Sequence, residues 1–423
     1  MSRKDISTAS LWRDQSFVLY WLGRAISLLG TAITSVVLPI LVYRLTASAF
    51  LTSLLATFEV LPYLCFGLFA GALADRMDRR RLMVGCDLLN TLLLGSIPLA
   101  AVFHALTIPH IFVVAFLSAA AYVWFDAANF GALPTLVGRE RIVTATSAVW
   151  SMSTIVQIIG PAVGGVLAAT IGPAQAISFD ALSYVLSAVS LLLIPRALST
   201  LHLTEETSSR LSIGNIFSGI GEGVEFIRRH RLVRVLTLLG FGISFTGGAV
   251  GGLLVVYAVR ALDLPANDAR IGLLFAAGAL GSLLASLLLP QATRRFPVGW
   301  ITLGAMMLNL LFLLGLVLAS SLAMSLILYA LWELCYTLTT TNGIALRQVV
   351  TPDHLQSRVN AYARMIAWGG TPFGAAAGGL LAQWTTIRTT FLVMAVGVAL
   401  SIVLGWFSPL RERKMVSELA EAT

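Results

Sequence analysis

Four ionisable residues lie within long apolar stretches of the sequence, where a charged side chain is costly. They are Arg24, Glu59, Asp126 and Glu333. An ionised side chain in hydrocarbon costs at least about 2.5 kcal/mol unless it is paired or reached by water, so each is a functional candidate. The two glutamates, near the middle of their stretches, could carry a proton or bind a cationic ligand. Arg24 could pair with Asp126, and loss of that pair would favour protonation of the carboxylate. A purely structural ion pair fits the sequence equally well.

Aromatic side chains accompany these acids at helical spacing. Rings beside a carboxylate are typical of a pocket for a large, flat or amphipathic molecule, although most aromatic residues of apolar helices face lipid or the core. The candidates for lining such a cavity are Tyr122, Phe125, Trp332 and Tyr336. Two further acids, Asp87 and Asp180, stand nearer to the ends of their stretches, and we expect solvated, capping or latch groups there. Arg364 is expected to snorkel to the membrane surface.

The same side chains exclude several classes of chemistry. Lys4 and Lys414 are the only lysines and neither lies in a glycine-rich phosphate loop, so no ATPase is expected. The five histidines are scattered and none is followed by glutamate, so a zinc signature is missing. The three cysteines lie in apolar stretches and are expected to be buried and unpaired. No nucleophile has a base at a suitable spacing, so we do not expect an enzyme. We also expect no bound metal or cofactor.

Long apolar stretches must position these residues, and they dominate the chain. Of its 423 residues, 57% are hydrophobic and 11% are charged, and the mean hydropathy is +0.87. A membrane-spanning helix needs roughly 20 apolar residues, so we predict an all-α membrane protein with twelve transmembrane helices. The predicted spans are 17–41, 50–74, 82–103, 110–133, 146–170, 175–195, 235–260, 270–290, 299–320, 322–346, 358–383 and 389–408.

The distribution of positive charge predicts the orientation of these spans. The termini and the loops that follow even-numbered spans, together with Arg358 at the start of the eleventh span, hold 22 of the 28 Lys and Arg residues. Cytoplasmic loops of membrane proteins retain such an excess, so we predict that both termini are cytoplasmic and that the protein lies in the plasma (inner) membrane. Topology also explains the net charge of +8, and no nucleic-acid partner is expected.

One long polar segment divides the predicted spans into two sets of six. We therefore predict an N-terminal six-helix bundle over 1–195, a cytoplasmic linker over 196–234, a C-terminal six-helix bundle over 235–408 and a cytoplasmic tail over 409–423. The later part of the linker has Ile213, Ile216, Phe217 and Ile220 at helical spacing. This spacing is typical of an amphipathic helix on the membrane surface, although a solvated basic linker fits equally well.

An internal repeat relates the two halves. At a constant offset of 214 residues, three glycines of the fifth span match three glycines of the eleventh, namely Gly160, Gly164 and Gly165 with Gly374, Gly378 and Gly379. The offset relates spans six places apart, so the halves have the same orientation. Glycines spaced by four also predict seams at which helices approach closely. The other predicted seams are Gly67–Gly71, Gly247–Gly251, Gly248–Gly252 and Gly370–Gly374.

A short turn between the second and third spans is rich in charge. The turn begins with Asp75 and Arg76 and ends with Arg79 and Arg80. Arginine is ordinary in a cytoplasmic loop, but Gly71 at the preceding helix end indicates a close backbone approach. An aspartate near a helix end can cap a neighbouring helix or hold an arginine, so the turn could form a breakable latch.

This turn resembles the loop signature of the major facilitator superfamily, Gly-x-Leu-Ala-Asp-Arg-x-Gly-Arg-Arg/Lys, with Asp78 where glycine is usual. The resemblance implies twelve helices in two pseudo-symmetric six-helix bundles. In that superfamily the signature stabilises an outward-open state, which implies a cytoplasmic gate. The gate residues would be Gly71, Asp75, Arg76, Arg79 and Arg80.

Other segments resemble particular branches of the superfamily. Gly160, Pro161, Gly164 and Gly165 are similar to the end of the motif that marks drug:proton antiporters, with Val156 in place of its preceding glycine. Residues 45–49, 59–62, 351–353 and 358–360 resemble a branch that contains macrolide-efflux and enterobactin-export proteins.

These resemblances imply a secondary active exporter. It would move an amphipathic small molecule, cationic or siderophore-like, out of the cytoplasm by proton antiport with alternating access. Its energy source would be the proton gradient, with no cofactor, and its partners the substrate and the lipid bilayer. We expect a monomer. A lipid or lysolipid flippase of the same fold and a non-transporting membrane sensor are alternatives.

Overall fold

A computed structural model describes residues 11–74, 76–138, 140–195, 198, 225–352 and 355–411 of the chain. These residues form helices and connecting turns, and none of them lies in a β-strand. The first six helices are α1 (Gln15–Thr46), α2 (Ala49–Ala74), α3 (Arg79–Val102), α4 (Ile108–Val137), α5 (Ile142–Thr170) and α6 (Pro173–Leu193). The later helices are α7 (Arg231–Gly252), α8 (Leu254–Ala261), α9 (Ile271–Arg295), α10 (Val298–Leu318), α11 (Leu322–Val350), α12 (Gln356–Trp384) and α13 (Ile387–Trp406).

Side-chain caps fix where several helices begin. A capping oxygen accepts a hydrogen bond from one of the first backbone N–H groups, which have no partner within the helix. This bond is 3.2 Å long from Ser16 N to Asp14 and 3.3 Å long from Met324 N to Ser321. Thr107 and Thr386 cap α4 and α13 in the same way.

Most of the described helices are long and apolar enough to cross a membrane. Eleven of them meet that description by length and composition. The helix α12 falls short in composition, because glycine and polar residues interrupt its apolar residues, but its 29 residues are ample for a span. With α7 and α8 taken as one broken span, these helices lie at the twelve predicted positions. Most extend beyond the predicted bounds by several residues.

Some predictions fall outside the described residues. These include Asp75, residues 199–224 with the candidate amphipathic helix, and residues 412–423 of the tail. The linker and tail therefore stay predictions. Of the cysteines, Cys86 and Cys335 are buried as expected, but Cys65 is exposed, and all three are free thiols.

The described residues form two compact units. Unit 1 takes its residues from Met1–Ala47, Phe58–His202 and Pro265–Ala276. In it, α1 packs against α5 and α6, and α3 packs against α4 and α6. Unit 2 takes its residues from Ser48–Thr57, Leu203–Leu264 and Ala277–Thr423. In it, α7 packs against α12 and α13, and α10 packs against α11 and α13. The same four pairings occur in each half of the chain, in agreement with the internal repeat.

The predicted glycine seam of α5 is a close helix contact in unit 1. A Cβ atom at Gly164 would lie 3.0 Å from the backbone oxygen of Ile33 on α1. A Cβ atom at Gly165 would lie 3.0 Å from the Cα of Gly272, near the start of α9. Only a residue without a side chain allows this approach of two backbones.

The repeated glycines of α12 form the corresponding seam in unit 2. A Cβ atom at Gly378 would lie 2.7 Å from the Cβ of Ala249 on α7. At Gly379 it would lie 3.0 Å from the Cα of Phe50, at the start of α2. The predicted seams Gly248–Gly252 and Gly370–Gly374 are also confirmed, because a Cβ atom at any of these glycines would lie 3.2 Å or less from a backbone atom of another helix. The predictions at Gly71 and Gly251 are wrong, because a Cβ atom there would meet no described atom within 4 Å.

Candidate functional site

Arg24 lies on α1 and is buried in unit 1, with 8% of its surface exposed. Its Nη2 donates to the hydroxyl of Tyr122 at 3.5 Å, and its guanidinium carbon lies 4.9 Å from the ring centre of Phe125. A cation over an aromatic face gains about 2 kcal/mol when both are shielded from water. Aromatic side chains of α4 therefore hold this cation inside unit 1.

Asp126 follows Phe125 on α4, and its side chain is exposed. It is close enough to Arg24 for an electrostatic interaction. The predicted Arg24–Asp126 ion pair is nevertheless not formed, since no ion pair among the described residues joins these two side chains. The structure thus places an accessible carboxylate near a buried cation whose direct contacts are aromatic.

The expectation that Asp87 and Asp180 are solvated is wrong. Their exposed fractions are 0% and 1%. Asp180 Oδ1 accepts a hydrogen bond from Ser183 Oγ at 3.2 Å. Ser187 lies beside Asp87, yet neither carboxylate oxygen of Asp87 accepts a hydrogen bond of normal geometry from a described residue. Both acids are internal to unit 1, where α3 and α6 pack together.

The spacing of small residues on α6 could have revealed this burial. Asp180, Ser183, Ser187 and Ser190 recur every three or four residues and so lie on one face of the helix. That face packs against α1, where a Cβ atom at Gly30 would lie 2.5 Å from Asp180 Oδ1. A stripe of small residues marks a helix contact, and an acid within the stripe is enclosed with it.

Glu333 is half-buried on α11 in unit 2. Its Oε1 accepts a hydrogen bond from the hydroxyl of Tyr329, one turn earlier, at 3.3 Å. Helix α9 packs closely on this side, since a Cβ atom at Gly278 would lie 3.2 Å from Glu333 Cγ. The hydroxyls of Ser282 and Thr337 lie 2.9 Å apart at the same contact. Glu333 is therefore held in a polar contact between two helices.

The aromatic candidates divide by exposure. Trp332 is 1% exposed and its ring is stacked between those of Tyr329 and Tyr336, with ring centres 5.7 and 5.5 Å away. Phe125 is also buried, at 4% exposure, whereas Tyr122 is 37% exposed. Phe125 and Trp332 thus belong to the interiors of their units. The predicted cavity-lining role of the four aromatic residues stays a prediction.

Glu59 lies on α2 and its side chain is exposed. The ring of the neighbouring Phe58 packs edge-on against Phe112 of α4, with ring centres 4.9 Å apart. This contact fixes α2 against α4 on one side of the glutamate. The proposed proton or substrate role of Glu59 stays a prediction.

The charged turn binds the start of α3 to its neighbours in unit 1. Asp78, which stands where the signature has glycine, is the N-cap of α3 and accepts a hydrogen bond from Arg81 N at 2.8 Å. Arg79 Nη1 donates to the carbonyl of Gly131 on α4 at 3.0 Å. Arg80 Nη2 donates to the carbonyl of Leu192 in the last turn of α6. A cation is favourable there, because the carbonyl end of a helix carries partial negative charge.

The other residues of the predicted gate are Gly71, Asp75 and Arg76, and among the described residues the structure shows no gate contact for them. Gly71 and Arg76 are exposed, and Asp75 lies outside the described residues. The close backbone approach expected at Gly71 is not found. The gate role of the turn therefore stays a prediction, and the described contacts of its arginines are structural contacts within unit 1.

The antiporter-like residues of α5 are buried. Gly160, Gly164 and Gly165 form the seam of unit 1, and the backbone oxygen of Pro161 packs against Gly272. Their observed role is close packing, and a role in transport coupling stays a prediction. Among the described residues, no group of three or more His, Cys, Asp or Glu side chains could hold a metal ion.

One residue with a notable position was missed. The predicted tenth span ends at 346, which places Arg347 in the loop that follows it. The helix α11 continues to Val350, and Arg347 is buried with 4% of its surface exposed. The apolar residues Val349 and Val350 after it are the signal that the helix continues.

Comparison with known proteins identifies the family. The family described as transmembrane secretion effectors, within the major facilitator superfamily, matches residues 6–422. The chain belongs to this family. The predicted superfamily is thereby confirmed, and the protein is a multi-pass membrane protein with the transporter fold of that superfamily.

Curated relatives of this family member include proteins of the predicted branch. The multidrug efflux pump Tap of Mycolicibacterium fortuitum is 27% identical over 92% of this chain and 95% of its own length. The enterobactin exporter EntS of Salmonella choleraesuis is 26% identical over 95% of both chains. Macrolide efflux protein A of Streptococcus pyogenes is 25% identical, over 53% of this chain and 54% of its own length.

Solved structures of the same superfamily confirm the predicted twelve-helix fold. A bacterial homologue of the human lysosomal transporter Spinster, in an inward-facing and occupied conformation, gives a TM-score of 0.72. The match covers 95% of this chain and 98% of that chain at 14% sequence identity. At this identity the likeness concerns the fold alone.

Proposed function

We propose that this protein is a secondary active exporter that moves an amphipathic small molecule, such as a macrolide or a siderophore-like compound, out of the cytoplasm. Entry of protons down their gradient drives the export, and no cofactor takes part. Support comes from the names of three relatives, which are a multidrug efflux pump, a macrolide efflux protein and an enterobactin exporter. The protein acts in the plasma (inner) membrane with both termini in the cytoplasm.

The observation that carries the proton link is an exposed acid within electrostatic reach of a buried cation in unit 1. Asp126 is accessible, while Arg24 is held by the faces of Phe125 and Tyr122. When Asp126 is ionised, Arg24 attracts it; when it is protonated, the attraction is lost. Protonation thereby biases the protein between conformations that differ in the distance between these two groups.

Glu333 supplies the corresponding carboxylate in unit 2. A carboxylate that has bound a proton no longer attracts a cation, so proton and cationic substrate exclude each other at such a group. This exclusion is the requirement for antiport. Tyr329, which donates to Glu333 at 3.3 Å, fixes the carboxylate in the structure described here. Glu59 is a third candidate.

The test uses purified protein in liposomes with an imposed pH gradient. Proton flux is followed while macrolides, cationic dyes, siderophores and lysolipids are added in turn. We expect one class to stimulate the flux and Asp126→Asn and Glu333→Gln to abolish it while the substrate still binds. Two exposed acids outside the proposed site provide matched controls, Asp263→Asn and Glu140→Gln. Asp263 has a positive φ of 53°, which asparagine tolerates.

The outcomes separate the alternatives. Unchanged gradient-driven transport in both acid variants would reject these coupling sites. Stimulation by lysolipids alone would favour a flippase. No flux with any compound, in vesicles shown to hold their gradient, would favour a sensor.

A further inference from the structure

A small cavity inside unit 2 has two arginines among the described residues that line it. It lies between α7, α10, α11 and α12 and has a volume of about 30 Å³. Its polar lining residues are Ser244, Thr302, Thr339, Thr340, Arg347 and Arg364, and the described residues that line it include no Asp or Glu. None of the acids in the proposed transport mechanism lies in this lining.

Arg347 is the central feature of this cavity. It is 4% exposed, and its Nε and Nη1 atoms have no hydrogen-bond partner among the described residues. A guanidinium stays protonated in proteins, so the fold encloses a full charge with donors left unused. Such a group is strongly unfavourable unless a partner of opposite charge completes it. Its backbone is held in place, because Thr351 Oγ1 donates to the Arg347 carbonyl at 2.7 Å.

Arg364 adds the second charge. It was expected to snorkel to the membrane surface, but it is half-buried and lines the cavity. Its guanidinium carbon lies 4.9 Å from the ring centre of Trp368, which also lines the cavity. Two like charges around one small space repel each other, and an anion placed between them would offset that repulsion.

The hydroxyl groups of the lining are largely committed to the helices. Thr339 donates to the carbonyl of Cys335 at 2.9 Å, and Thr340 donates to that of Tyr336 at 3.1 Å. Thr302 donates to the carbonyl of Val298 at 3.3 Å. The donors that remain for a ligand therefore include the Nε and Nη1 groups of Arg347. A ligand that suits them must be a charged acceptor.

The size of the cavity limits what can enter. A cavity of about 30 Å³ has room for about two water molecules, so a small anionic group can enter while the rest of a large molecule stays outside. A phosphate group carries between one and two negative charges near neutral pH, and its oxygens match the planar fork of arginine.

We propose that this cavity binds a phosphate group, with Arg347 and Arg364 as its two cationic contacts. The phosphate is either inorganic or the head group of an anionic lipid. This site stands independently of the proposed export function, because it involves neither the coupling acids nor a proton gradient.

The test measures binding to the purified full-length protein. Thermal unfolding in detergent is followed while inorganic phosphate is added against chloride at matched ionic strength. Nanodiscs of phosphatidylglycerol are compared with nanodiscs of phosphatidylcholine. The variants are Arg347→Gln and Arg364→Gln, and the matched control is Arg295→Gln, which removes an exposed charge outside the cavity.

We expect phosphate to raise the unfolding temperature of the wild type and of Arg295→Gln. Either cavity variant should weaken the apparent affinity at least about 10-fold, which corresponds to the loss of one charge-assisted contact. In chloride alone, Arg347→Gln should be no less stable than the wild type, because it removes an unpaired buried charge. A higher unfolding temperature in phosphatidylglycerol nanodiscs that also depends on Arg347 would identify a lipid head group. A higher unfolding temperature with inorganic phosphate alone would identify a soluble ligand.

Two results would overturn the proposal. One is a wild type that responds to neither phosphate nor phosphatidylglycerol beyond its controls. The other is an Arg347→Gln variant that responds as the wild type does, or that is destabilised equally with and without the anion, as a structural arginine would require. If Arg347→Gln fails to fold, Arg364→Gln and the wild-type titration decide the question.

Discussion

Replacement of Gly374 by alanine should destabilise the protein even though alanine is the better helix former. Gly374 lies on α12, where that helix meets α7 in unit 2. A Cβ atom added there would lie 2.5 Å from the carbonyl carbon of Phe245, whereas ordinary contact begins at 3.4 Å. The difference between these distances is about 0.9 Å, and the carbonyl oxygen of Phe245 lies closer still, so the two helices would have to separate by at least that much.

The magnitude follows from two opposing effects. Alanine in place of glycine within a helix stabilises by about 0.5–1 kcal/mol. Overpacking a tight contact costs about 1–3 kcal/mol, and a gap approaching 1 Å forfeits up to about half of the dispersion energy of the atoms that separate. We therefore expect Gly374→Ala to lower the free energy of unfolding by about 1–2 kcal/mol.

Gly304→Ala provides the matched control. Gly304 lies within α10 of the same unit, and a Cβ atom there would meet nothing within 4 Å. This variant should gain the helix-propensity term of about 0.5–1 kcal/mol without a packing cost. Thermal and denaturant unfolding of both variants in detergent provides the measurement. If the two substitutions change stability in the same direction and to the same extent, the argument from the helix seam is refuted.

Three further predictions concern single contacts. Gly131→Ala would place a Cβ atom 2.6 Å from Arg79 Nη2 and should lower the free energy of unfolding by about 1 kcal/mol. In an Arg79→Gln background most of this loss should vanish, and additive effects in the double mutant would contradict the contact. Tyr257→Phe removes the hydroxyl that donates to the Leu316 carbonyl oxygen at 3.1 Å, and it should lower the free energy of unfolding by about 1 kcal/mol. An unchanged free energy of unfolding would show that this hydrogen bond is not needed. Hydrogen bonds from Arg270 lower the pKa of Asp268 below its ordinary 3.8, so Asp268→Asn should destabilise the protein at pH 7. The stability difference between wild type and variant should shrink as the pH falls through the lowered pKa. A stability difference independent of pH would refute the ion pair.

The membrane fold could be predicted from the sequence because each span is a long apolar run, and length together with composition is the property that places a helix in a bilayer. The α5 and α12 seams were also predictable, since the offset of 214 residues aligns the glycines that make equivalent contacts. The prediction of a seam at Gly67–Gly71 failed because glycine spacing shows where a close approach is possible but does not show which helix comes near.

The interior of each unit was less predictable. Asp87 and Asp180 stand near predicted span ends, where water is close, and only the pairing of α6 with α1 and α3 encloses them. Arg347 appeared to be a loop residue because a charge after an apolar run usually ends a span. The Arg24–Asp126 pair failed for a related reason: sequence shows opposite charges at similar depth, but the aromatic neighbours of Arg24 decide its contacts.

The composition of the two units has a consequence for biosynthesis. Unit 1 includes residues Pro265–Ala276, and unit 2 includes Ser48–Thr57. A nascent chain can therefore not finish unit 1 until residue 276 has been translated, long after its own six helices have been inserted. Residues 48–57 must in turn wait for α12, against which they pack. The first half thus leaves the ribosome with one seam unfilled, and during that interval chaperones and proteases of the membrane would meet an exposed, glycine-rich groove.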